Sequence, residues 1–199
     1  MQSLEHTIET ETITYSKAKS YFKLTKFTLS ALVVFSAVVT YFTVAESFEF
    51  LKIMGLAIGG FMVTGAANGF NQIIEKDLDA LMNRTKLRPL PTANLTKMQA
   101  FLFCAILTIV GVFLLGFFCN ILSGIVGFIS VLLYALLYTP LKRKTPFSVF
   151  VGALPGALPT LIGAVAATNG FGQIHFFGIL LFFIQFFWQF PSFLGNCMG

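Results

Sequence analysis

Six stretches of this 199-residue chain, near 27–45, 53–75, 99–119, 121–139, 149–167 and 175–194, run almost without a charge. A helix that crosses the hydrocarbon of a bilayer needs about 20 such residues, because backbone amides in lipid have only one another to bond with. The pattern predicts an all-α fold, a polytopic transmembrane helical bundle. Charged residues make up 11% of the chain and hydrophobic ones 56%, whereas a soluble domain carries about 25% charge. A chain this short cannot bury that much apolar surface in a core of its own. The third and fourth stretches are separated only around Cys119-Asn120, which predicts a tight helical hairpin. The first stretch is longer than a signal-peptide core and is read as a spanning helix.

Basic residues give the expected orientation. Lys17, Lys19, Lys23 and Lys26 precede the first span; Lys76, Arg84, Lys86, Arg88 and Lys97 follow the second; Lys142, Arg143 and Lys144 follow the fourth. With the N-terminus cytoplasmic, twelve of the thirteen Lys and Arg residues fall inside and only Lys52 falls outside. The net charge of +5 is therefore topological, and no nucleic-acid partner is implied. Residues 1–26 are read as a cytoplasmic N-terminal segment and 27–194 as the transmembrane domain. Cys104, Cys119 and Cys197 sit in or beside apolar runs, without a CxxC pair, and read as small buried hydrophobes. In the fifth span, Gly152 and Gly156 stand at GxxxG spacing beside Pro155 and Pro159. Close helix packing and a cavity-lining role are both compatible with that pattern.

The chemistry is concentrated where the second span meets the inner loop. Asn71, Glu75 and Asp79 are spaced i, i+4, i+8, and at about 100° per residue they lie along one stripe, with Asp77 directed elsewhere. Carboxylates at that depth are costly without partners. Two of them with an amide oxygen form a hard donor set suited to Mg²⁺, which commonly joins one or two carboxylates to substrate phosphates. Arg84, Lys86 and Arg88 follow at once, and guanidinium groups grip phosphate oxygens in pairs. These residues would contact phosphate or order the loop. Solvated helix-end charges make the same pattern, so spacing alone leaves both readings open. The histidines are His6 and His175, and no Ser/His/Asp set is present. His175 is placed by sequence at the outer interface.

With these residues in view, a resemblance emerges. The segment Asn71-xxx-Glu75-xxx-Asp79, with Asn83-Arg84-Thr85-Lys86 and Arg88-Pro89-Leu90 after it, resembles the first acidic motif of UbiA-type prenyltransferases. The R-T-K-x-R-P run is most like the heme O synthase (protoheme IX farnesyltransferase) branch. Tyr138-Thr139-Pro140-Leu141-Lys142-Arg143-Lys144-Thr145, the Gly152–Pro159 block and Trp188-Gln189-Phe190-Pro191 are similar to later family blocks in the same order. Family members have about nine helices, of which six are predicted here. The family's second acidic motif, due after the sixth helix, is not in the sequence, and residues 195–199 are atypical. A truncated or frameshifted product, short of full activity alone, is expected.

The resemblance implies a Mg²⁺-dependent transfer of a farnesyl group from farnesyl diphosphate to the vinyl group of heme B, giving heme O. It implies a catalytic and metal-binding set of Asn71, Glu75 and Asp79. Arg84, Lys86, Arg88, Lys142 and Arg143 would lie on the diphosphate side, although Lys142 and Arg143 also serve as topology charges. It further implies a multi-pass protein of a bacterial inner (plasma) membrane, with heme A synthase or terminal-oxidase assembly proteins as neighbours. Two other readings stand beside it: a UbiA-type enzyme acting on a quinone precursor such as 4-hydroxybenzoate, and an inactive membrane remnant.

Overall fold

The computed structural model describes residues 16–145 and 147–197, with side chains as far as Phe190. All regular structure in this range is helical. The elements are α1 (Lys17–Leu24), α2 (Phe27–Val44), α3 (Phe50–Ile74), α4 (Lys76–Leu81), α5 (Lys97–Leu114), α6 (Ile121–Leu132), α7 (Thr139–Leu141), α8 (Ser148–Ala166) and α9 (Phe176–Cys197). A π-helical turn extends α5 through Cys119, and another joins α6 to α7, so 97–119 and 121–141 are continuous rods. Five rods or helices are long and apolar enough to cross a membrane by length and composition: 27–44, 50–74, 97–119, 121–141 and 148–166. In α9 the apolar part with described side chains, Phe176–Phe190, is shorter. Each of the six apolar stretches is a helix at its predicted place.

The hairpin between the third and fourth spans is one residue long. Asn120 is extended (φ −167°, ψ 164°), and its carboxamide oxygen accepts from the Ser123 backbone and hydroxyl, which caps α6. Its Nδ2 donates to the carbonyls of Val165 and Thr168, tying the hairpin to the end of α8.

Helix α3 is the centre of the bundle, with α2, α5 and α6 around it. Small residues permit this. A Cβ at Gly59 would lie 2.9 Å from the Gly111 carbonyl oxygen, and one at Gly69 would overlap the Cys104 sulfur. Without a hydrophobic drive between helices in lipid, such close backbone contact is what binds them. Leu32, Phe35, Ile109 and Phe117 point outward and are exposed, as lipid-facing side chains must be. Cys104 and Cys119 are buried free thiols, as the sequence predicts; the Cys197 side chain lies outside the described residues.

The segment before the first span is not merely a tail. Ser16 caps α1, whose Ser20 and Leu24 are buried. On α3, Gln72 Nε2 donates to the Leu24 carbonyl (2.8 Å), and Asn68 Nδ2 donates to Ser30 Oγ (3.2 Å). Ser30 in turn donates to the Thr25 carbonyl at 2.8 Å. These bonds hold a sharp turn at Lys26, which is left-handed (φ 49°, ψ 60°). At the opposite end of the bundle, Lys52 is buried rather than solvated. Its ammonium lies 2.7 Å from Glu49 and 2.6 Å from Asn169 Oδ1.

Candidate active site

The stripe predicted from i+4 spacing exists, with a break in it. Helix α3 ends at Ile74, and Glu75 (φ −95°, ψ 5°) separates it from α4. The i→i+4 bonds continue through the break: Glu75 N–H donates to the Asn71 carbonyl (3.0 Å) and Asp79 N–H to the Glu75 carbonyl (2.8 Å). The register therefore survives. Asn71, Glu75 and Asp79 are 2%, 6% and 4% exposed and line one cavity. Asp77, off the stripe, is solvated and lies 3.8 Å from Lys97.

Both buried carboxylates are paired, which is what makes their burial tolerable. Lys142 Nζ lies 2.6 Å from Glu75 Oε1, and Asn71 Nδ2 donates to Glu75 Oε2 at 3.0 Å. Arg88 Nη1 lies 2.7 Å from Asp79 Oδ2. The loop that presents Arg88 is anchored by the Thr85 hydroxyl, which donates to the Asp79 carbonyl (2.9 Å), and by the fully buried Leu90 and Leu95. It ends in a capping box, Thr96 with Gln99, at the start of α5. On the other side, Thr139 is fully buried, with its hydroxyl 3.1 Å from Asn71 Oδ1 and 2.8 Å from the Tyr134 carbonyl.

The cavity at this basic end holds about 670 Å³. Five cationic side chains (Lys26, Arg84, Arg88, Lys142 and Arg143) face it against two carboxylates. Lys86 is not among them: it is exposed and donates to Asn83 Oδ1 (3.2 Å), so it orders the loop and does not reach the cavity. Lys26, absent from the predicted set, does reach it. Burial pulls its pKa down to about 8, with the Arg88 and Lys142 charges acting in the same direction.

A second cavity, of about 350 Å³, lies deeper in the bundle and is mostly apolar. Tyr134 lines both, and Tyr138 stands beside it with ring centroids 5.3 Å apart. Gly152, Pro155, Gly156 and Pro159 of α8 all line this chamber, and Gly152 and Gly156 also pack closely on Tyr138 and Gln189, so both readings of the block hold. A Cβ at Gly152 would lie 2.5 Å from the Tyr138 ring. Gln185 and Gln189 of α9 bring polar amides to the same space.

Thr139 and Lys26 carried weak signals in sequence. Thr139 stands inside a recognisable block but meets Asn71 across 68 positions. Lys26 was one of four lysines explained by topology alone. His175, predicted at the outer interface, is exposed in the connection before α9 and lines neither cavity.

The arrangement joins a cation-rich, carboxylate-bearing cavity at one end of the bundle to an apolar chamber within it. Several chains of known name are related to this one in sequence. The protoheme IX farnesyltransferase of Christiangramia forsetii is 48% identical over 171 residues, covering 86% of this chain and 56% of that one. The protoheme IX farnesyltransferases of Flavobacterium psychrophilum (49% over 174 residues) and Cytophaga hutchinsonii (42% over 179) cover 86% and 89% of this chain. This chain spans 57% and 62% of those two, so it corresponds to little more than half of each relative. Among solved structures, a digeranylgeranylglyceryl phosphate synthase superposes with a TM-score of 0.75 at 24% identity, over 85% of this chain and 58% of that one. An Archaeoglobus fulgidus UbiA homolog bound to DMAPP and Mg²⁺ gives 0.67 at 15%, over 87% and 62%. Both likenesses concern the fold. The sequence pattern of the UbiA prenyltransferase family matches residues 31–198, and the chain belongs to that family.

Proposed function

We propose that the basic-end cavity takes the diphosphate of farnesyl diphosphate together with Mg²⁺, that the apolar chamber takes the farnesyl chain, and that the reaction served is prenyl transfer to heme B, giving heme O. The observation that carries this reading is the stripe of Asn71, Glu75 and Asp79, buried in one cavity opposite Arg88 and Lys142. The acceptor is inferred from relatives at 42–49% identity that bear the name protoheme IX farnesyltransferase.

The residues fit the metal. Asn71 Oδ1 and the two carboxylates are hard oxygen donors, the kind Mg²⁺ takes. Among the described residues no group of three His, Cys, Asp or Glu side chains forms a closed cage. Substrate phosphate and water would thus complete the coordination, as is usual for this ion. Bound there, Mg²⁺ would neutralise charge on the diphosphate and make it a better leaving group.

The chain's own groups supply the rest. Arg88 and Lys142 hold phosphate oxygens as negative charge gathers on them. Tyr134, which lines both cavities, and Tyr138 beside it would offer their rings to the allylic C1 as it becomes positive while its bond to oxygen breaks. The apolar walls around Pro155 and Pro159 keep bulk water from that carbon until the vinyl group captures it; one water then adds to the cation left on the other vinyl carbon and loses a proton, which supplies the hydroxyl of heme O. The basic end would then face the cytoplasm of a bacterial inner membrane, with the N-terminus on that side.

Titrating the chain in lipid nanodiscs with farnesyl thiodiphosphate tests the donor half. Binding should require Mg²⁺ and be lost in Glu75→Gln and Asp79→Asn; metal-independent binding would overturn the site. Incubation with farnesyl diphosphate and either heme B or 4-hydroxybenzoate, read by mass spectrometry, tests the acceptor. Formation of heme O supports the reading, and a prenylated benzoate in its place refutes it.

A further inference from the structure

The two carboxylates of the basic-end cavity are already matched, Glu75 by Lys142 and Asp79 by Arg88. Lys26 lines the same cavity, and none of the ion pairs among the described residues involves it. Arg84 and Arg143 also lack a carboxylate, but both are exposed and solvated, whereas Lys26 is half-buried. A half-buried cation outside any ion pair is unfavourable. The cavity thus holds an excess of enclosed positive charge that an anion would satisfy.

The backbone beneath Lys26 is what carries its side chain to the cavity. It is left-handed, a conformation disfavoured for a residue with a Cβ, and such residues persist where the surroundings over-determine them. The surroundings do so here. Gln72 bonds the Leu24 carbonyl, Asn68 reaches Ser30, and Ser30 bonds the Thr25 carbonyl. Asn68 and Gln72 come from the helix that also supplies Asn71 to the site. One stretch of α3 therefore fixes both the acidic stripe and the turn that brings Lys26 over it.

We propose that Lys26 is a further phosphate-binding residue, a third cation that joins Arg88 and Lys142 on the donor's diphosphate and is delivered by the turn between α1 and α2. This rests on the reading of the cavity as a prenyl diphosphate site. The turn thereby gives the segment before the first span a part in substrate binding.

The test compares two ligands, farnesyl thiodiphosphate with Mg²⁺ and uncharged farnesol, on the chain in nanodiscs. Lys26→Met should weaken the diphosphate analogue by roughly tenfold or more, the scale of one hydrogen bond to a charged group. Farnesol binding should not change, and Lys26→Arg should keep most of the analogue's affinity. Three results overturn the proposal. If Lys26→Met binds the analogue as well as the unaltered chain while Glu75→Gln does not, Lys26 is no ligand and the diphosphate site stands. If Lys26→Met loses farnesol equally, the residue only supports the turn. If the unaltered chain shows no Mg²⁺-dependent binding, the proposal falls together with the reading of the site.

Discussion

Lys142 Nζ lies 2.6 Å from Glu75 Oε1, and this pair ties the end of the fourth span to the break after the second. The Glu75 side chain is 8% exposed and that of Lys142 31%. Removing one partner of a buried pair strands the other charge, at a cost of about 3–5 kcal/mol for a fully enclosed pair and less here. Lys142→Met should therefore lower the thermal transition of the chain in detergent clearly. The double variant Glu75→Gln/Lys142→Met should recover part of that loss, because no charge is left stranded. Binding of farnesyl thiodiphosphate should stay absent in the double variant. Equal destabilisation by the single and double variants would show that the ion pair does not hold these segments.

Thr139 offers a finer test, since its hydroxyl has one proton and two acceptors, Asn71 Oδ1 and the Tyr134 carbonyl. In Thr139→Val the isosteric methyl serves neither. The Asn71 oxygen then keeps only the 3.4 Å contact from Lys142. A loss of about 1–3 kcal/mol in stability follows from leaving a buried acceptor unsatisfied. The Mg²⁺ concentration needed for half-maximal analogue binding should rise in the same variant, because the amide loses its orientation. Thr139→Ser should restore both. A normal Mg²⁺ requirement in Thr139→Val would mean that the hydroxyl is structural only.

The two tests draw on features that differed in legibility. Six apolar runs announced six helices because lipid leaves the backbone no alternative. The acidic stripe was visible because i+4 spacing survives even the break at Glu75, where the hydrogen bonds continue. What stayed hidden is polar and non-local. Gln72 bonds Leu24 across 48 positions, and no pattern in either segment signals the pairing. Four lysines near the N-terminus look alike in sequence, and the left-handed turn is what carries Lys26 to the cavity. Lys86 and Arg88 are two residues apart, yet the loop sends one to Asn83 and the other to Asp79. The α8 glycines, left open in sequence between packing and cavity lining, do both: Gly152 and Gly156 line the chamber, and a Cβ on either would meet a neighbour.

Those glycines give a ranking. At Gly163 a Cβ would run into the Ala37 backbone, so α2 and α8 would have to separate. The Tyr138 ring, a bulky side chain that lines the chamber, stands in the way at Gly152. Only the Gln189 amide opposes a Cβ at Gly156, and it can swing aside. Overpacking typically costs about 1–3 kcal/mol and more when backbone must move. Destabilisation should therefore run Gly163→Ala, then Gly152→Ala, then Gly156→Ala, read as thermal transitions in one detergent. Gly156→Ala as the worst of the three would contradict the packing described here.

The pH dependence of ligand binding follows from Lys26. Its pKa is lowered to about 8 by burial, with Arg88 and Lys142 adding to the effect and Glu75 and Asp79 opposing it. A lowered pKa means that the ammonium loses its proton as pH rises through about 8, while an ordinary lysine keeps it to about 10.4. For folding, the native chain then binds fewer protons than the unfolded one between these values, so this group makes stability rise with pH there. For binding, the sign is opposite. Affinity for farnesyl thiodiphosphate should fall from pH 7 to pH 9, because the enclosed cation is lost and the ligand must bring the proton back. Arginine stays charged throughout this range. The ratio of affinities between the unaltered chain and Lys26→Arg, measured at each pH, cancels the titration of the ligand and of every other group. That ratio should decline above pH 8; a ratio flat from pH 7 to pH 9 would show that the Lys26 ammonium takes no part in holding the diphosphate.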